Sequence, residues 1–173
     1  MDGDCNMKTK RESFASDYIT DALLILMKQK NYKDITVTEI CEKAGVTRMS
    51  FYRSFKTKDD ILRKWFDSVS SRYLVGKDFD FNNVSREFLI DLFTYLEQYR
   101  EAYLAMYDSG LFYDFVKEQL VKDIADHQKD TSDIYRSYFL TGGIYSVFIL
   151  WLKSGQKESP SEVADKLEKY LVY

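Results

Sequence analysis

The chain has little of what most chemistry requires. Among 173 residues there is one proline, one histidine, two cysteines and seven glycines. Scarce proline and glycine favour helices over turn-rich folds. Cys5 and Cys41 are too few and too far apart for a disulfide framework, and two such thiols suit a reducing compartment. The lone histidine, His127, lies in a polar stretch, and no Cys/His cluster has metal-ligand spacing. No glycine loop is spaced to cradle a phosphate. Acidic pairs such as Asp59-Asp60 fall where a helix start would use them, so nothing argues for an enzyme, a cofactor or a metal.

Long hydrophobic runs are also lacking. The N-terminal stretch Met1-Asp-Gly-Asp-Cys-Asn has no apolar core of the signal-peptide kind. The uncharged segment from Ser137 to Leu152 is shorter than the ~20 apolar residues of a spanning helix, and Arg136 and Lys153 close it. A buried or interface helix is the expectation there, with no membrane partner and a cytoplasmic location.

What is present is a local pattern of helix signals. Thr36 followed by Glu39 is a capping box. Val37, Ile40, Cys41 and Ala44 recur on one helical face. Gly45 follows, suited to a left-handed helix end, then Val46 and a new N-cap candidate, Thr47. Phe51 and Phe55 give the next helix a buried side, while Arg48, Met49, Ser50, Tyr52 and Arg53 occupy the other. Thr57 opens a third helix with Asp59 and Asp60 in its first turn. Two helices joined by a glycine turn form the layout of a helix-turn-helix, whose second helix reads base edges. Arginine suits that role because its fork holds a guanine edge with two hydrogen bonds.

The net charge of −3 at first argues against nucleic acid, but its distribution does not. From Arg48 to Lys64, six basic residues face two acidic ones. DNA responds to the local patch rather than to the sum.

No strand alternation and no internal repeat is present, so the expected class is all-α. An upstream helix carries Ala15, Ile19, Ala22, Leu23 and Leu26 on one face. The stripe Ile61, Leu62, Trp65, Phe66 and Val69 continues the third helix into a connecting one. Gly76 to Asn83 reads as a loop, Ser85 to about Tyr107 as one helix, and Leu111 to about Ala125 as the next. His127 to Asp133 reads as a loop and Ile134 to Lys153 as the apolar helix. Ser159-Pro160-Ser161-Glu162 opens a last helix.

The ordered run Thr-Val-x-x-Ile-x-x-x-Ala-Gly-Val-Thr-x-x-x-Phe-Tyr-x-x-Phe-x-x-Lys-x-x-Ile-Leu, from Thr36 to Leu62, resembles the DNA-binding domain of TetR-family transcriptional regulators. The resemblance implies a disordered tail over 1–11, a three-helix DNA-binding domain over 12–64 and a ligand-binding and dimerisation domain over 65–173. By the same resemblance Arg48, Met49, Ser50 and Arg53 take base-reading positions. Thr36, Thr47, Tyr52, Lys56 and Lys58 take phosphate-contacting ones. Met49 stands where the family commonly has glycine or alanine. A methionine there either touches a thymine methyl or holds the helix farther from the groove.

Further on, Gly142-Gly-Ile-Tyr, Trp151-Leu-Lys-Ser-Gly155 and Glu158-Ser-Pro160 are similar to the branch that includes dihydroxyacetone-kinase operon regulators. The resemblance implies a homodimer built through the last two helices, with Gly142, Gly143, Trp151, Val163, Leu167 and Tyr170 at the interface. It also implies a small-molecule effector pocket among Tyr95, Tyr99, Tyr103, Tyr107, Phe112, Tyr145 and Phe148. The competing reading of those rings is an aromatic-rich core. The expected function is an effector-responsive repressor on a palindromic operator in double-stranded DNA. The alternative is an activator governed by a protein partner, which predicts an exposed aromatic or apolar patch on the C-terminal domain in place of an enclosed cavity.

Overall fold

A computed structural model describes residues 3–75, 84–126 and 131–171, with side chains for 14–75, 84–122 and 134–171. The described residues are helical, without a strand. The chain divides into two compact units, Met1–Val69 and Ser70–Tyr173.

In the first unit, α1 (Gly3–Met27) is followed by a short 3-10 turn (Tyr32–Asp34), α2 (Val37–Ala44), α3 (Arg48–Ser54) and α4 (Lys58–Leu74). Helix α1 starts at Gly3, within the tail expected over 1–11. The division between the units lies a few residues past the boundary expected after residue 64. Helix α4 has no breaker there, and the division falls at Val69, inside that helix. Helix α1 packs against α2 and α3 through Ile19, Ala22 and Leu23, all essentially without solvent exposure. Ile40, Cys41, Phe51, Phe55, Ile61 and Leu62 complete this core. Burial pushes the Cys41 thiol up, so the group is a packing element rather than a thiolate.

The second unit contains α5 (Arg86–Glu97), α6 (Arg100–Ser109), α7 (Phe112–Asp126), α8 (Thr131–Lys153) and α9 (Pro160–Glu168). The single helix expected from Ser85 to Tyr107 is two. The backbone turns at Gln98 and Tyr99, where the Gln98 side chain donates to the Tyr95 carbonyl at 2.7 Å. The four-residue tyrosine spacing survives the turn, which is why periodicity alone missed it. The rings still run in sequence, Tyr95 to Tyr99 at 5.6 Å and Tyr99 to Tyr103 at 6.4 Å. The loop expected over 76–83 lies outside the described residues, as do 127–130, while Thr131 onward already belongs to α8.

Helix α5 packs along α9, and Leu89, Phe93, Val163 and Ala164 are buried. Arg86 ties the pair by donating from Nε to Asp165 at 2.6 Å and from Nη2 to Ser161 at 2.9 Å. Ser159 and Glu162 cap α9 reciprocally, with Pro160 at its first turn. Helices α6, α7 and α8 pack together, centred on Tyr103, Phe112 and Phe148. No described helix is long and apolar enough to cross a membrane.

Candidate nucleic-acid interface

The turn between α2 and α3 is fixed at every step by local hydrogen bonds. The Thr36 hydroxyl accepts from the Glu39 N–H, and the Glu39 carboxylate accepts from the Thr36 N–H at 2.9 Å, so the capping box is complete. Gly45 takes φ 66°, a left-handed conformation that a side chain disfavours, and its N–H reaches back to the end of α2. Val46 N–H bonds the Cys41 carbonyl at 3.0 Å. Thr47 then caps α3, accepting from the Ser50 N–H at 3.1 Å. Eight residues later Phe55 leaves helical geometry with φ −143°, turning its ring into the core.

This frame sorts the side chains of α3 onto two faces. Phe51 is fully buried and Phe55 nearly so. Arg48, Met49, Tyr52 and Arg53 are exposed, Met49 by 68% and Tyr52 by 59%. Positions 48, 49, 52 and 53 form one helical stripe, which Lys56 extends past the helix end. An exposed apolar thioether flanked by two guanidiniums suits a groove lined with phosphate, base edges and thymine methyls. Ser50 differs: it is half-buried, and its hydroxyl lies 3.0 Å from that of Thr47, within the cap.

The positions expected to meet phosphate separate in the same way. Tyr52 and Lys56 lie exposed beside the reading stripe. The Thr36 hydroxyl donates to Glu39 at 2.8 Å, so its proton is already engaged. Thr47 is exposed but shares its hydroxyl with Ser50.

Lys58 lies differently from Tyr52 and Lys56. Its ammonium donates to the carbonyls of Tyr32 at 2.6 Å, Ile35 at 2.9 Å and Lys33 at 3.2 Å, and lies 4.3 Å from the Tyr32 ring centre. All three ammonium protons therefore serve the turn between α1 and α2. The Tyr32 hydroxyl in turn donates to Asp59. The amides just ahead of α4 are engaged too. The N–H groups of Lys56 and Thr57 donate to the Asp60 carboxylate at 3.0 and 2.8 Å. Lys58 is a structural staple, and Lys58→Met is expected to lower the stability of the first unit by about 2 kcal/mol. Chemical denaturation checks this. A phosphate contact would instead leave stability unchanged and reduce the salt dependence of DNA binding.

The capping box is also pH-sensitive. The Glu39 carboxyl is held down to about 2 from 4.5, chiefly by the hydrogen bond from Lys30 and then by those from Thr36. A depressed folded-state value means that the unfolded chain binds the proton more readily. The contribution of Glu39 is thus whole above pH 4.5 and lost as pH falls through about 2. Glu39→Gln is expected to flatten the acid side of the unfolding-midpoint profile within that window and to leave its slope elsewhere unchanged.

Sequence reasoning missed Thr38. Its hydroxyl, half-buried on α2, accepts a hydrogen bond from Nη2 of Arg48. No sequence signal marks a bond between residues ten apart on two different helices.

In the second unit, the expected interface and pocket residues are redistributed. Trp151 is buried and donates from its indole to the Glu158 carbonyl at 2.8 Å, and Val163 is buried on α9. Both pack in the protomer's own core; Leu167 is half-buried. Tyr170 is 65% exposed, and Gly142 and Gly143 lie on accessible parts of α8. Tyr103, Phe112 and Phe148 pack against one another with centroids 5.0 to 6.3 Å apart, and all are buried. These three form part of the core of the second unit. Tyr95, Tyr99, Tyr107 and Tyr145 are half-buried at its margin.

Comparison with known proteins accords with this arrangement. Residues 19–64, covering the last third of α1 through the start of α4, match the family of bacterial regulatory proteins of the TetR type. Residues 83–173 match the transcriptional regulator C-terminal region of a TetR group. A similar curated protein is an uncharacterised HTH-type transcriptional regulator, YxbF, of Bacillus subtilis (strain 168), 23% identical over 171 residues. The alignment covers 88% of this chain but 43% of that relative, so the chain spans less than half of its length. A helix-turn-helix with an exposed basic stripe, joined to a matched C-terminal region, places the chain in the TetR family of DNA-binding transcriptional regulators.

Proposed function

We propose that the protein is an effector-responsive repressor that binds a palindromic operator as a homodimer. The observation that carries the DNA-reading part is the outward stripe of Arg48, Met49, Tyr52 and Arg53 on α3, set against the buried Phe51 and Phe55. One such helix contacts a single half-site. Two copies with readers about 34–36 Å apart fit a palindrome.

The case for a second copy rests on α8. Tyr135, Phe139 and Leu150 are exposed by 75%, 72% and 67%, and Gly142 and Gly143 lie between them along the helix. Two adjacent glycines in mid-helix cost about 1 kcal/mol each relative to alanine. A Cβ added at either position would meet nothing within 4 Å inside the protomer. The protomer thus gains nothing from their small size, whereas a helix of a second copy crossing there would. Helix α9 contributes less than the resemblance implies, because Val163 and Ala164 are committed to its own unit.

Gly143→Leu is therefore expected to leave the protomer at least as stable and to weaken dimerisation at least about tenfold, since a side chain would part the helices. Sedimentation equilibrium with a parallel thermal melt checks both arms. An unchanged dimer would remove α8 as the interface.

The effector reading is supported by the half-buried hydroxyl-bearing rings Tyr95, Tyr99, Tyr107 and Tyr145 at the rim of the α5–α8 core. The same exposed aromatics on α8 favour a second reading, an activator governed by a protein partner, to which the likeness to dihydroxyacetone-kinase regulators also points. A reporter gene downstream of the bound sequence separates the two. Expression of the chain alone lowers transcription for a repressor. For the activator, transcription rises only with the partner present, and the purified chain remains monomeric.

A further inference from the structure

We infer that Thr38 is a specificity-determining residue of the reader, acting as the positioning residue for Arg48. The inference rests on the reading of Arg48 as a base contact. Arg48 is the first residue of α3 and Thr38 the second of α2, so their hydrogen bond spans the helix-turn-helix from one element to the other.

The anchor is rigid. Thr38 is β-branched, which restricts its χ1 on a helix. Helix α2 is itself fixed at both ends. The Thr36–Glu39 capping box and the 2.6 Å Lys30–Glu39 pair hold its start, and the left-handed Gly45 holds its finish. An arginine side chain is otherwise the most mobile part of an exposed α3. Of its five N–H donors, the bond to Thr38 occupies one on Nη2. Enough of the fork remains for a bidentate contact with a guanine edge. The bond thus restricts the guanidinium before DNA arrives, and less ordering is left for the complex.

Among the described residues, Arg53 has no equivalent support of this strength. Its Nη2 lies 3.5 Å from the Met49 sulfur, a weak acceptor on the same helix. The two arginines therefore differ in kind. Arg48 is held from another helix, and Arg53 adapts with Met49. Fidelity is expected to be higher at the base pair under Arg48.

The test uses the full chain with Thr38→Val, which removes the hydroxyl at nearly constant shape, and Thr38→Ser, which keeps it. Competition binding would compare the preferred operator with single-base variants at each position, over a range of salt. Thr38→Val is expected to retain the wild-type melting temperature and salt slope. Its discrimination should fall about three- to tenfold, only at the base pair that Arg48→Ala relaxes. Thr38→Ser should restore it, and Thr38→Val added to Arg48→Ala should have no further effect. A uniform loss across all sequences with a shallower salt slope would overturn the inference, showing Thr38 to be a phosphate contact. So would additivity with Arg48→Ala, or discrimination unchanged in Thr38→Val. A wild-type chain that prefers no sequence would remove the reading of Arg48 and the inference with it.

Discussion

Replacing Arg48 and Arg53 together by alanine is expected to abolish sequence-selective DNA binding while leaving the protein folded. Both side chains are exposed on α3, so their removal uncovers no core. Surface changes of this type usually alter stability by less than about 0.5 kcal/mol. Each bidentate arginine–guanine contact discriminates by about 1–3 kcal/mol, roughly five- to 150-fold. Loss of two per reader, in both subunits of the proposed dimer, removes the preference for the operator over random duplex. The residual affinity, carried by Tyr52, Lys56 and the remaining basic surface, should be weak, steeply salt-dependent and indifferent to sequence. Fluorescence anisotropy with operator and scrambled duplexes at two salt concentrations measures this. Retention of selectivity in the double variant would transfer the reading role away from α3.

Phe51→Ala is expected to have the opposite signature, loss of fold and therefore of all DNA binding. Phe51 is fully buried on α3, with its ring 5.2 Å from that of Tyr52 and 6.1 Å from that of Phe55. Truncating a buried phenylalanine costs about 3–5 kcal/mol. The first unit contains fewer than 70 residues. At about 0.05–0.15 kcal/mol per residue, a unit of that size cannot absorb much of this loss. The melting transition should fall sharply, and specific and non-specific binding should disappear together. A variant that melts within a few degrees of the wild type would mean that α3 is held by something other than this ring.

The contrast between these variants shows why the first unit was legible in the sequence and the second less so. Helix ends are written locally. Thr36 with Glu39, Gly45, and Thr47 each act within four residues of themselves, and each does in the structure what its position implies. The same holds for Ser159, Pro160 and Glu162 at α9. The all-α class follows from such signals. Side-chain partners between helices are not written locally. Lys58 has the position of a phosphate contact but lies over the carbonyls of a turn more than 20 residues upstream. Trp151 and Val163 have helical spacing suited to either an interface or a core, and only the packing of α5 on α9 and the indole bond to Glu158 assign them to the core. The turn at Gln98 and Tyr99 escaped because the aromatic stripe continues through it.

Glycine illustrates the same division. Gly45 could be assigned from sequence because a helix end requires its φ of 66°. Gly142 and Gly143 are placed at an interface by the family resemblance alone, since no local signal says what approaches α8 from outside. Their open surroundings within the protomer are what support a partner helix.

The central claim is that α3 presents paired, sequence-specific readers to the major groove. Selection of binding sites from random duplex DNA with the purified full chain tests it most directly. The account predicts enrichment of a palindrome whose half-sites lie about one helical turn apart, at roughly 10–10.5 base pairs or a multiple of that. The enriched positions should include a guanine that loses preference in Arg48→Ala. Selection of no sequence at low salt, or of a single unpaired half-site insensitive to Arg48→Ala and Arg53→Ala, would contradict it.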